Sequence, residues 1–234
     1  MKCVSLFTLI CLLGLSTHLV AQSKRKDYLV TFSTPWGDMH AILHNQTPLH
    51  KKNFLKLVDK KFYDGLLFHR IINTFMIQGG DPESKNAEAG KLLGEGDVGY
   101  RVPAEITPEL FHKKGVLAAA RDNNPEKASS GCQFYIVQGK VWDEKTLAEQ
   151  MKRSPLRVYT PEQQNVYKTL GGTPHLDGNY TVFGQVLDNL WVIDSVASQP
   201  RDKNNRPLKD IPMKVFCKKI KKKKITKLYG YTWE

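Results

Sequence analysis

The sequence predicts a mainly β fold, a barrel or sandwich, and three observations carry that expectation. Short apolar runs rich in Val, Ile, Phe and Tyr recur along the 234 residues, bounded by Gly, Pro, Asn and Asp. Helical periodicity is confined to a few stretches. The composition, 41% hydrophobic, 10% aromatic and 25% charged, is that of a chain able to bury a sizeable core.

Taken in order, Tyr28–Phe32 and Met39–Leu43 read as a hairpin around Thr34-Pro35-Trp36-Gly37-Asp38. A helix follows, with Thr47 as cap, Pro48 at its first position, and Phe54, Leu55 and Val58 at helical spacing. Leu66–Ile72 and Phe75–Gln78 return to strand and end at the turn Gly79-Gly80-Asp81-Pro82. Glu83–Gly99 is Gly-rich, polar and loop-like, and Gly115–Ala120, Gln133–Val137, Asn179–Leu187 and Ile211–Cys217 complete the strands. Residues 138–172 break the habit as a helical insertion too short for its own core. One helix there has Thr160 as cap, Pro161 first, Gln163 closing a capping box and Gly171 as stop. Val166, Tyr167 and Leu170 would share one face of it, and Asp143–Lys152 reads as a second, weaker helix.

Charge is concentrated at the ends. The net charge is +12, from 35 Lys and Arg against 23 Asp and Glu. Four bases lie in residues 1–26, seven lie between Lys218 and Lys227, and one acid is Glu234, which leaves 24 bases against 22 acids in between. A nucleic-acid-binding fold carries its positive charge along a face of the domain itself, so no specific nucleic-acid partner is expected. The tail 218–234 interleaves its lysines with Ile225, Leu228, Tyr229, Tyr231 and Trp233. It reads either as a solvated charge run or as a segment that folds back or meets an anionic surface.

Met1–Ala21 has a charged start at Lys2 and an apolar run from Val4 to Leu15, and reads as a secretory signal cut after Ala21. Leu19 is large for the −3 position, so a different cut, or an uncleaved anchor, stays open. Ile10 before Cys11 argues against a lipoprotein signal. The expected protein is exported, periplasmic or secreted, with membrane association left open. Cys132 and Cys217 would remain after processing, either as buried thiols in strands or as one disulfide. No Cys–His spacing suggests zinc, and no cofactor is implied.

The most informative string is Phe68-His69-Arg70-Ile71-Ile72-Asn73-Thr74-Phe75-Met76-Ile77-Gln78-Gly79-Gly80-Asp81. Alternation in a strand would put Phe68 and Arg70 on one face, and Met76 and Gln78 on one face after a bend. An arginine among large apolar groups presents a charged five-donor fork beside a hydrophobic surface, which suits a carbonyl next to an apolar ring. On the pattern alone, an arginine reaching to solvent from a core strand is the competing reading.

This string closely resembles the signature of the cyclophilin-type peptidyl-prolyl isomerases, with Ile71 in place of the usual Val. Two later segments resemble the family in order. One is Gly115–Ala120 followed by Ser130-Gly131-Cys132-Gln133-Phe134-Tyr135-Ile136, and the other is His175-Leu176-Asp177-Gly178-Asn179-Tyr180-Thr181-Val182-Phe183-Gly184. The resemblance runs from about Tyr28 to Cys217, interrupted by residues 138–172. It implies a closed eight-stranded antiparallel barrel capped by two helices, here a domain over 22–217. It also implies a monomer acting on proline-containing polypeptides and assisting the folding of exported proteins. Carried over residue by residue, Arg70 is the catalytic residue, and Phe75, Met76, Tyr135 and Leu176 line the proline pocket. Gln78, Ala120, Arg121 and Gln133 contact the peptide, with His69, His175 and Tyr180 at the rim.

Four further positions depart from the pattern. Tyr135 stands where Phe is common and brings a hydroxyl that needs a partner if buried. His175 replaces a rim Trp, which implies weak binding of cyclosporin-type drugs with catalysis retained. Tyr180 replaces a rim His. Arg121 replaces an Asn and adds positive charge, which suggests a mild preference for acidic substrates. The insertion leads directly into His175 and would border the groove, as a specificity wall or as a surface elaboration. A binding or chaperone module on the same fold is the competing function, and it would need the pocket but not Arg70.

Overall fold

The computed structural model describes residues 25–153 and 157–233, so the segment read as an export signal lies outside the described residues. Val30–Cys217 form one compact unit, and the described residues on either side belong to a second. The strands are β1 (Lys26–Thr34), β2 (Gly37–Leu43), β3 (Arg70–Ile72), β4 (Met76–Gly79), β5 (Arg101–Val102), β6 (Val116–Ala119), β7 (Ser129–Ser130), β8 (Phe134–Val137), β9 (Val182–Val186) and β10 (Lys214–Lys221). Eight of them form one sheet in the order β10-β1-β2-β9-β6-β8-β4-β3, and β5 pairs with β7.

The expected closure of this sheet into a barrel is not formed as a ladder, because β3 and β10 are left at its two ends. The segments leading into them meet at one isolated bridge, Leu67 opposite Pro212. Phe68 N–H donates to Ile211 O at 2.9 Å and Met213 N–H to Leu66 O at 2.8 Å. β3 is three residues long, and beyond this bridge Ile71 N–H donates to Asn205 O at 2.9 Å instead of to β10, so the pairing stops there. The expected strand Leu66–Ile72 is correspondingly reduced to Arg70–Ile72.

The central strands are apolar on both faces, which is why they read as continuous runs rather than alternating ones. Ile77, Leu117, Ala119, Phe134, Ile136 and Phe183 turn into the inner core. Their neighbours Met76, Val116, Ala118, Tyr135, Val137 and Val182 form a second cluster on the opposite face. That second cluster is the floor of the candidate site. Between Phe68 and Arg70 the expected alternation fails: Phe68 and Ile71 both enter the inner core, because the chain becomes regular strand only at Arg70.

Helix α1 (Pro48–Asp59) contributes Phe54, Leu57 and Val58 to the inner core. Thr47 does not cap it through its side chain. Instead, the Glu105 carboxylate accepts from Leu49 N–H at 3.0 Å and His50 N–H at 2.9 Å, meeting free N-terminal donors with negative charge.

In the insertion, helices α2 (Glu144–Met151) and α3 (Pro161–Thr169) form where expected, with Asp143 capping the first. The Thr160–Gln163 capping box closes the start of α3. The insertion carries a small core, Trp142, Leu147, Tyr159 and Tyr167, packed against its own Met151 and against Phe111 from outside it. Four aromatic rings supply enough apolar area in few residues to do this. Tyr167 alone among the expected face residues is buried, Leu170 being 39% exposed.

Helix α4 (Leu190–Ala197), which follows β9, sends Val192, Ile193, Val196 and Ala197 into the inner core. Cys132 and Cys217 are free thiols, and Cys217 is only partly buried. In the second unit the lysine segment is structured, as helix α5 (Lys222–Tyr229) with Ile225 fully buried. Lys222 N–H donates to Arg25 O at 2.9 Å, and its ammonium lies 4.5 Å from the centre of the Trp233 ring.

Candidate active site

Arg70 and Gln78 face each other across the β3–β4 pair, and Arg70 Nη1 donates to Gln78 Oε1 at 3.1 Å. Gln78 in turn is opposite Tyr135 on β8. Its amide donates to Gln133 Oε1 at 3.1 Å. Gln133 Nε2 then donates to Gly94 O at 2.8 Å and Gly96 O at 2.7 Å. One polar chain therefore runs from the guanidinium to the Glu83–Gly99 loop. Asp81, fully buried, holds that loop from the other side by accepting from Gly94 N–H and from Glu83 N–H. Gly96 makes the approach possible: a Cβ there would collide with Asp81 Oδ1.

A cavity of about 120 Å3 opens beside Arg70, walled by Phe75, Met76, Tyr135, Leu176 and Tyr180, with Gln78, Ala120 and Arg121 at its polar side. Burial pulls the Arg70 pKa down from its ordinary value, yet a guanidinium remains charged at neutral pH. A half-buried cation thus sits against an apolar concavity. Arg121 is tied in place: Nε donates to Asn179 O at 2.8 Å, Nη1 donates to Asp122 O at 2.8 Å, and the guanidinium stacks 4.8 Å from the centre of the Tyr180 ring. Gln133 does not line this cavity but lines an adjoining one of about 260 Å3, which Gln78, Ala120 and Arg121 share.

Tyr135 is 4% exposed, and its hydroxyl lies 2.9 Å from His112 Nε2. His112 Nδ1 lies 2.8 Å from Asp177 Oδ1, and the Tyr167 hydroxyl donates to Asp177 Oδ2 at 2.5 Å. This buried relay connects the pocket wall to α3 of the insertion. Burial alone would raise the Asp177 pKa. The hydrogen bond and charge of His112, the Arg157 charge and the Tyr167 hydroxyl outweigh it and hold the carboxyl below its ordinary value. Neither His112 nor Asp177 was among the expected site residues. The available signal was the hydroxyl of Tyr135, which demanded a buried partner.

Two rim expectations change. His69 is not at the rim: it is 2% exposed, since the irregular backbone before β3 turns it inward toward the Gly94 loop. Burial lowers its pKa to about 4, Asp81 opposing and Arg70 assisting. His175 does not line the cavity beside Arg70 directly but lies over Phe75, ring centres 5.5 Å apart and planes at 30°. Burial, then His112 and Arg153, lowers its pKa. Tyr180 does stand at the cavity edge, packed edge-on against Tyr135.

Residues 29–216 match the family model of cyclophilin type peptidyl-prolyl cis-trans isomerase/CLD. A Streptococcus pyogenes serotype M6 protein, provisionally named a bifunctional phosphatase/peptidyl-prolyl cis-trans isomerase, is 35% identical over 187 residues, 78% of this chain and 37% of that protein. The chain therefore spans little more than a third of that relative. A Staphylococcus aureus protein, provisionally named a peptidyl-prolyl cis-trans isomerase, is 32% identical over 183 residues, 78% of this chain and 87% of its own. The crystal structure of a Cryptosporidium parvum cyclophilin type peptidyl-prolyl cis-trans isomerase is similar with a TM-score of 0.61 and 25% identity, covering 82% of this chain and 98% of the other. One determined in the presence of the dipeptide Ala-Pro has a TM-score of 0.58 at 25% identity, covering 81% and 98%.

Proposed function

The chain belongs to the cyclophilin-type peptidyl-prolyl cis-trans isomerases, and we propose that it speeds X–Pro rotation by non-covalent stabilisation of the twisted amide, with Arg70 as the catalytic residue. Planar amides resist rotation by roughly 18–20 kcal/mol. As the bond twists, the proline nitrogen regains a lone pair and becomes an acceptor. A donor that binds the twisted state better than either planar state lowers the barrier. The observation that carries the reading is the Arg70–Gln78 contact at 3.1 Å beside the Phe75–Met76–Tyr135–Leu176 wall. Gln78 takes one N–H of the fork and fixes its plane, leaving other donors for substrate. The apolar wall holds the ring while the preceding residue turns, and Gln78 and Gln133 orient the peptide without adding charge. No covalent step is required, so the chemistry needs no nucleophile.

In this reading the protein is exported and assists folding of exported polypeptides, supported by the apolar run Val4–Leu15 behind Lys2. The α5 lysines, with Leu228 56% exposed among them, support contact with an anionic membrane surface. Deleting 218–234 should abolish retention on anionic liposomes, and unchanged retention would remove that role. Isomerase activity itself is tested by exchange NMR on an Ala-Pro peptide. Catalytic amounts of the protein should accelerate cis–trans exchange, and exchange at the uncatalysed rate would leave only a binding role.

A further inference from the structure

A cavity of about 620 Å3, larger than the one beside Arg70, lies between the insertion and the loops at 106–108 and 177–179. Three cations line it, Lys127, Arg153 and Arg157, against one carboxylate, Asp177. That carboxylate is already committed, since it is 1% exposed and accepts from the His112 backbone and the Tyr167 hydroxyl. Positive charge therefore dominates the open side.

The donors are also incompletely used. Arg157 is held by donation from Nη2 to Pro108 O at 2.7 Å and by stacking 5.0 Å from the centre of the Tyr159 ring. Its side chain is 7% exposed and its Nε is 3.8 Å from Asp177 Oδ2, too far for a hydrogen bond. That Nε has no acceptor among the described residues, and neither does the buried Thr107 Oγ1 at the same cavity. Lys127 spends one ammonium hydrogen on Gly178 O at 2.7 Å, and Arg153 is exposed. Both atoms are sealed in the wall, so the cations an anion in the cavity can reach are Lys127, with its remaining ammonium hydrogens, and the exposed Arg153.

The cavity adjoins the peptide path. Leu176 and Tyr180 line the Arg70 cavity, and the intervening Asp177, Gly178 and Asn179 line this one. The single loop Leu176–Tyr180 carries both linings. An extended chain advances about 3.3 Å per residue, so a substrate that crosses this loop brings residues a few positions from its proline to the second cavity.

We propose that this cavity is a subsite for acidic side chains of the bound polypeptide, Asp or Glu carried a few residues from the proline. It rests on the isomerase reading and adds a substrate class to it. It is also distinct from a preference at the residue next to proline, which would fall to Arg121 in the cavity beside Arg70.

The test uses Ala-Pro peptides with two Glu residues three and four positions from the proline, placed on the N-terminal side in one peptide and the C-terminal side in another. Each is compared with its Gln counterpart at low salt, with Kd read from chemical-shift titration and rate from exchange NMR. One Glu peptide should bind wild type about three- to tenfold more tightly than its Gln counterpart. That advantage should vanish in Arg153→Glu, while Gln peptides keep wild-type Kd and rate, which also reports folding. Equal Kd for Glu and Gln at both placements, with catalysis intact, overturns the subsite alone. An advantage that survives Arg153→Glu combined with Lys127→Glu overturns it too. If the advantage is present but no peptide exchanges faster than uncatalysed, the isomerase reading fails and the subsite stands as a binding site.

Discussion

The hydroxyl of Tyr135, a residue that walls the cavity beside Arg70, is bound to His112 Nε2 at 2.9 Å. The extra oxygen at this wall is thus satisfied within the protein, and the surface offered to a ring stays apolar. His112 passes the contact on to Asp177 and thence to Tyr167 on the insertion, so the insertion braces the pocket from behind.

Tyr135→Phe should therefore leave catalysis within about threefold while costing about 1–3 kcal/mol of stability, because a buried histidine nitrogen loses its partner. Denaturant unfolding and exchange NMR measure the two effects separately. A tenfold loss of rate at unchanged stability would mean that the hydroxyl meets substrate.

The relay also makes stability depend on acid. Unfolded, Asp177 titrates near its ordinary 3.8, and folded it titrates lower. Its contribution is complete above the unfolded value and is lost as pH falls through the folded one, because the unfolded chain takes up the proton first. Tyr167→Phe removes one of the contacts that hold the carboxylate. Unfolding curves from pH 5 to 2.5 should show a shallower decline in that variant than in wild type.

His69 adds a second window. Its ordinary value of 6.5 falls to about 4 in the fold, chiefly through burial. The unfolded chain binds a proton between those values and the native state does not, so stability decreases as pH drops from 6.5 to about 4. His69→Gln should flatten that part of the stability curve. The same residue predicts a flat rate profile between pH 6 and 8, since neither a neutral buried imidazole nor Arg70 titrates there. A rate inflection near pH 6–7 that disappears in His69→Gln would contradict this.

Gln133→Ala should cost about 1–2 kcal/mol of transition-state binding, roughly five- to thirtyfold in kcat/KM. It would free both the Gln78 amide and the Gly94–Gly96 loop. Rate against peptide concentration should show most of the loss in KM.

Much of this was legible from residue types. Apolar runs such as Val116–Ala119 and Phe134–Val137 announced strands buried on both faces, and the Thr160–Gln163 capping box announced α3. The string around Arg70 brought together Arg70, Phe75, Met76 and Gln78 as expected. What stayed hidden depends on partners distant in sequence. Helix α4 follows Asn189, a favoured cap residue type that here is left-handed and makes no side-chain cap, and no acidic residue stands in its first turn. The cap of α1 comes from Glu105, 55 residues from His50. His69 turned inward because strand alternation fails at the irregular Phe68–His69 step. The small core of the insertion depends on Phe111, which lies outside its boundaries.

The central claim is that Arg70 acts in the twisted state more than in the planar ones. Exchange NMR on an Ala-Pro peptide with wild type and Arg70→Ala, together with Kd from shift titration, tests it most directly. Losing a charged hydrogen bond of about 1.5–3 kcal/mol should slow bound-state exchange by roughly 10- to 150-fold, with Kd changed by less than about threefold. Wild-type exchange rates in Arg70→Ala, or a loss confined to Kd, would contradict the account.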